Sequence, residues 1–172
     1  MNSLSAFGIP EERIIVITKP TQFKKIIIPD QSAVPLAVFL PYEFTDKYVQ
    51  VFRHIKKQIT PAKHKKVYLS RSLAARKNVF GEEYFIDFFR KRGFKIINPE
   101  EYTMKEKAEI MYGADEVVTV DGTNAHLSIF CKPSVRLTIL SRVYNGWSSA
   151  QQLINEVAGI QVCRCKQKSA VY

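Results

Sequence analysis

Two short stretches combine residue types able to handle a phosphorylated ligand. The first is Ser70-Arg71-Ser72-Leu73-Ala74-Ala75-Arg76-Lys77-Asn78, with three cations and two hydroxyls. Arg71 and Arg76 offer planar forks of donors that match a diphosphate. Asn78 is placed to cap a following helix, whose amino end also favours an anion. The second stretch is Asp121-Gly122-Thr123-Asn124. Gly122 permits a tight turn and close backbone approach to a ligand. Thr123 and Asn124 can donate to phosphate or cap a short helix carrying His126. This loop is neither a Walker loop nor a dinucleotide fingerprint, both of which need more glycines at fixed spacing. A solvated basic loop and a partly buried helix histidine are the competing structural readings of the two stretches.

Taking a proton from an attacking hydroxyl is work for a carboxylate or a histidine. The acidic candidates are Asp121, Glu82, Glu83 and Glu106. Glu82 and Glu83 fall in the first turn of a helix, where acids are common for dipole reasons alone. Glu106 is accounted for by a capping box. Asp121 and His126 are left as the candidates for catalysis. The run Arg90-Lys91-Arg92 is explained as the cationic end of a helix.

The elements that must position these residues are set by periodicity. Val67 to Ser70, Lys95 to Ile97, Glu116 to Val120, Val135 to Leu140 and Ile160 to Cys163 are strand candidates. Between them, Phe85, Phe88 and Phe89 share a helix face that Gly93 should end. Thr103 with Glu106 is a capping-box signature opening a helix to about Tyr112. Ala125 to Phe130 and Ala150 to Val157 complete the helices. Upstream, Phe44, Tyr48, Val51, Phe52, Ile55 and Ile59 recur at helical spacing, which predicts a helix from Glu43 to Ile59. Ile14 to Ile17 and Phe23 to Ile28 are expected as two short strands around the turn at Pro20. The repeated alternation from Val67 onward predicts an α/β fold with a doubly wound, mostly parallel sheet. Ligands then bind beyond the carboxyl ends of the strands, where both chemical stretches lie.

Length and composition bound the rest. The 172 residues favour one domain, and 46% hydrophobic with 24% charged residues excludes wholesale disorder. No apolar run reaches the roughly 18 to 20 residues of a membrane span. Met1 to Arg13 lacks the pattern of a secretory signal. The three cysteines, Cys131, Cys163 and Cys165, suggest reduced thiols and a cytoplasmic protein. Cys163 and Cys165 lack the spacing of a zinc knuckle and have no neighbouring histidine, which argues against a metal site there. The formal charge of +10 attracts polyanions: nucleic acid, anionic lipid or a phosphorylated ligand. Most aromatics fall at core spacing rather than between exposed cations, which disfavours nucleic acid. The expected division is a segment 1–60 packing on the main domain, the domain itself at 61–165, and a basic tail at 166–172. Thr60 to Lys66 is expected as a hinge or linker.

From Lys66 to Leu140 the sequence resembles the family 61 glycosyltransferases, the group that includes capsular-polysaccharide biosynthesis proteins. The carrying residues are Val67-Tyr68-Leu69-Ser70-Arg71-Ser72, Ala75-Arg76-Lys77-Asn78, Gly93-Phe94, Pro99-Glu100, Ala114 and the segment Val117 to Pro133. The stretch from Phe7-Gly8-Ile9-Pro10 to Pro41 is similar to the segment joining the family's two lobes. At some positions the chain differs: Asp121 stands where a His often precedes the loop glycine, and Val79 rather than Glu follows Asn78. The resemblance implies a Rossmann-like, donor-binding lobe of a GT-B architecture. It implies inverting transfer from a nucleotide sugar, a UDP-sugar, to a glycan acceptor without a bound metal or other cofactor. By that resemblance Arg71 and Arg76 hold the diphosphate, and Gly122, Thr123 and His126 line the donor pocket; Ser70, Asn78 and Asn124, from the same two stretches, complete the expected donor site. A GT-B enzyme closes two lobes, and this chain is about half that length. The expected partners are therefore a second copy or an acceptor-lobe protein, with an anionic membrane surface nearby. A module that binds nucleotide or glycan without turnover is the alternative.

Overall fold

The structure is a computed structural model that describes residues 9–29, 33–35, 42–44, 46–71, 81–141 and 149–165. Its centre is a five-stranded sheet in the order β4-β3-β5-β6-β7, parallel at every pairing. The strands are β3 (Lys66–Leu69), β4 (Lys95–Ile97), β5 (Glu116–Val120), β6 (Arg136–Leu140) and β7 (Val162–Cys165). Two further strands, β1 (Ala33–Pro35) and β2 (Tyr42–Phe44), form a separate antiparallel pair. The helices are α1 (Asp46–Lys57), α2 (Glu82–Arg90), α3 (Met104–Gly113) and α4 (Ser149–Ala158), with a 3-10 helix over Thr123–Phe130.

Buried residues on β3 and β5 explain why these strands are central. Val67, Tyr68, Leu69, Val117, Val118 and Val120 are all buried, so both faces of the sheet must be covered. On one face Val67, Leu69, Ile97, Val117, Leu137 and Ile139 pack with Ile110 and Met111 of α3, and with Ala125, Ala158 and Ile160. On the other face Tyr68, Phe94 and Val118 pack with Phe85, Ile86 and Phe89 of α2. The Tyr68 and Phe89 rings stack with centroids 4.8 Å apart. Outside the first layer, Phe52 and Ile55 of α1 pack on Ile129 and Val157.

The chain order creates a switch point. From β3 the chain passes through α2 to β4 on one side, then returns through α3 to β5 on the other side of β3. The two connections cover opposite faces. In open sheets of this order the crevice at the carboxyl ends of the strands flanking the switch point, here β3 and β5, is the usual ligand position.

Local signals account for the boundaries. Thr103 Oγ1 accepts from the Glu106 amide at 3.3 Å, and the Glu106 carboxylate accepts from the Thr103 amide at 2.7 Å, closing the capping box. Gly93, at φ 78°, ends α2 as expected, and the Phe94 amide reaches back to the Phe89 carbonyl. The same bond pattern after α4, from the Ile160 amide to the Asn155 carbonyl, uses Ile160 as a buried helix stop. For that reason β7 starts at Val162 rather than at Ile160 as the sequence suggested. Helix α1 starts at Asp46 because Glu43 belongs to β2.

Three expectations are corrected. Ile14 to Ile17 and Phe23 to Ile28 form no strands; Ile15 is 82% and Ile28 80% exposed. Apolar, β-branched composition favours a strand only where another strand supplies hydrogen bonds. The stretch from Thr60 to Lys66 is not a free linker. The Ala62 amide donates to the Glu109 carbonyl at 2.9 Å, Ala62 packs on the core, and the Lys65 carbonyl accepts from Asp115 and Glu116. Helix α2 begins at Glu82 with Gly81 as its N-cap, three residues beyond Asn78. Among the described residues no helix is long and apolar enough to cross a membrane.

Candidate functional site

Ser70 and Arg71, leaving β3, and the loop after β5 border this crevice. Immediately after β3, the Ser70 amide continues the ladder with a bond to the Ile97 carbonyl at 2.8 Å. The Asn124 side-chain amide donates to the Ser70 carbonyl at 3.4 Å, tying the end of β3 to the 3-10 helix after β5. Ser70 is fully buried, so it underlies the crevice rather than facing it. After β5, the Asp121 amide bonds to the Leu140 carbonyl at 2.9 Å and carries the sheet one residue further. Gly122 then adopts φ 134° and ψ −166°, a conformation essentially confined to glycine. This turn lets the Gly122 carbonyl accept from Ala125 and start the 3-10 helix. Thr123 is exposed, while Asp121, Gly122, Asn124 and His126 are half-buried.

Arg71 joins the two loops. Its guanidinium Nη1 donates to the Asp121 carbonyl at 3.4 Å, spanning from the end of β3 to the end of β5. Among the described residues its buried Nε has no partner. A guanidinium carries five N–H donors, and the bond to Asp121 uses one of them. Arg76 and Asn78 lie outside the described residues.

Glu82 holds this arrangement from below, a role that its position in the first turn of α2 conceals in the sequence. Only 7% exposed, it accepts the Tyr68 hydroxyl at 3.1 Å and the Arg71 amide at 3.0 Å, both on Oε1. Among the described residues its buried Oε2 has no partner. Burial pushes the Tyr68 phenol well above its ordinary range, and the neighbouring Glu82 carboxylate adds to the shift. Tyr68 is thus a fixed hydrogen-bond donor. The missed signal is periodic: Glu82 lies three, four and seven residues before Phe85, Ile86 and Phe89, on the buried face of α2. Glu83, on the other face, is exposed.

His126 is the site's titratable base. Partial burial lowers its pKa from the ordinary 6.5, and the Asp121 charge opposes the shift. The imidazole is therefore neutral at neutral pH and able to accept a proton. Behind it, Gln151 of α4 donates to Ser128 Oγ at 3.0 Å and to Asn155 Oδ1 at 2.8 Å. This buried network locks the 3-10 helix to α4; sequence periodicity does not single out any of the three residues.

A match to known proteins bears on this geometry. The family model described as Glycosyltransferase 61 matches residues 3–138. No curated protein and no solved structure matches the chain.

Proposed function

The chain belongs to the glycosyltransferase 61 family, and from that premise we propose that it is the donor-binding lobe of a GT-B enzyme. In this reading it transfers a sugar from a UDP-sugar to a glycan acceptor with inversion and without a metal. The acceptor hydroxyl attacks the anomeric carbon, the bond from that carbon to the diphosphate oxygen breaks, and UDP leaves. Negative charge grows on the departing diphosphate. Arg71 and Arg76 act on that charge, since donors fixed in a shielded site stabilise it where it develops. Gly122, Thr123 and Asn124 line the donor pocket, and Asp121 or His126 takes the acceptor's proton.

The observation that carries this reading is the bond from Arg71 to the Asp121 carbonyl across the switch point. It ties the end of β3 to the end of β5 and, among the described residues, is the bond that places the guanidinium at the switch point. The test is a calorimetric titration with UDP. Charge-assisted hydrogen bonds contribute about 1.5 to 3 kcal/mol, so Arg71→Ala should weaken binding roughly tenfold to a hundredfold. Arg71→Lys should recover only part of this, because it keeps the charge and loses the planar fork. Unchanged affinity in a folded Arg71→Ala variant would place the donor elsewhere.

A further inference from the structure

Strand β7 is the outer strand of the sheet and carries two cysteines, Cys163 and Cys165. Alternate residues of a strand point to opposite faces, so the two thiols project from the same face. Val162, one residue away, packs into the core on the opposite face. Cys163 lies beside Thr138 and Cys165 beside Leu140 of β6. Both cysteines are free and exposed. The third cysteine, Cys131, is buried, so it does not compete for an external ligand.

We propose that Cys163 and Cys165 form a two-thiolate site for a soft, two-coordinate cation of the monovalent copper type. Ligand chemistry gives the first reason, since thiolates select soft cations over hard ones. Ligand number gives the second. Among the described residues no group of three His, Cys, Asp or Glu side chains could hold a metal. A structural zinc needs four ligands, whereas monovalent copper accepts two sulfurs in line.

Span gives the third reason. A rise of about 3.3 Å per residue sets the two Cα atoms roughly 6.6 Å apart. Disulfides close over Cα separations of about 4.4 to 6.8 Å, most often near 5.5 to 6 Å, so this pair lies at the long end of that range, in a strand whose pairing with β6 resists being drawn in. A bridging metal inserts two metal–sulfur bonds, each on the order of 2.3 Å for zinc, and reaches across without contraction. On binding, both thiols release their protons to solvent, the metal keeps its oxidation state, and the bis-thiolate complex carries one negative charge. Cys165 also lines a groove of about 390 Å³ with Tyr84, Phe88, Arg92 and Leu140. The Arg92 guanidinium, 3.4 Å from the Phe88 ring centroid, supplies positive charge in that groove.

The test is an anaerobic competition for monovalent copper between the full chain and a coloured copper(I) chelator. The wild type should withdraw one equivalent of copper. Cys163→Ser and Cys165→Ser should each withdraw at least tenfold less, with unchanged far-UV circular dichroism. Zinc offered under the same conditions should not be retained. Equal copper retention by the serine variants overturns the proposal. So does loss of retention in Cys131→Ala with both surface thiols intact, or a wild type that withdraws no copper at all.

Discussion

The backbone amide of Arg71 donates to the carboxylate of Glu82 at 3.0 Å, eleven residues later in the chain. The carboxylate oxygen that accepts it also accepts the buried Tyr68 hydroxyl at 3.1 Å. One side chain at the start of α2 therefore fixes both the body of β3 and the residue leaving it. The path of the main chain at Arg71 decides where its guanidinium reaches, so a group buried beneath the crevice controls one on its surface.

Glu82→Ala should be costly for stability. It strands the Tyr68 hydroxyl and the Arg71 amide, and each buried polar group left unsatisfied costs about 1 to 3 kcal/mol. We expect a loss on the order of 2 to 4 kcal/mol in urea unfolding, with Glu82→Gln losing less because an amide oxygen still accepts. Glu83→Ala, one residue along on the exposed face, should change little. Equal midpoints for the Glu82 and Glu83 variants would show that the Glu82 bonds are not made in solution.

Gly122 should tolerate no side chain. At φ 134° and ψ −166° a Cβ is strained whatever the surrounding space. Gly122→Ala should lose about 1 to 3 kcal/mol of stability. On the proposed reading it should also weaken UDP binding, because the turn sets where the loop amides point. Wild-type stability and affinity in that variant would mean that the turn is not fixed as described.

How much of this is legible in the sequence varies with the physics of each signal. The capping box of α3 and the bounds of β4 and β5 depend on contacts within a few residues or on short β-branched runs, and for both the sequence agrees with the structure. Ile14 to Ile17 and Phe23 to Ile28 have strand composition and no strand partner among the described residues, and partnering is invisible in a local window. The two loops of the site are legible because strand–helix alternation puts them at the carboxyl edge. Burial of Ser70 beneath that edge is not, since it depends on Asn124 arriving from 54 residues away. Glu82 misleads because a place in the first turn explains an acid by itself, and that explanation hides its place on the buried face.

The network around Gln151 should behave as a unit. Gln151→Met keeps much of the volume but withdraws the donor from Ser128 Oγ and Asn155 Oδ1. We expect a loss of about 1 to 3 kcal/mol in thermal unfolding. Adding Ser128→Ala should then cost less than it does in the wild type, because residues in one network are not additive. Strict additivity would show that the two side chains do not interact.

His126 gives stability a pH dependence of definite sign. Burial lowers its folded-state pKa below the ordinary 6.5, and Asp121 raises it by a smaller effect. The unfolded state therefore binds more protons than the folded state as pH falls below about 6.5. Stability from the neutral imidazole is complete above that pH and is lost as pH drops toward the folded-state value. His126→Asn should remove this part of the acid slope while leaving the rest. A proton resonance titration should place the His126 midpoint below 6.5 in the wild type, and lower still in Asp121→Asn, which withdraws the charge that favours the imidazolium. A midpoint above 6.5 would reverse the assignment, with the Asp121 charge outweighing burial. A midpoint well above 7 would leave His126 largely protonated at neutral pH and unable to serve as the proton acceptor there, which would leave Asp121 as the candidate base.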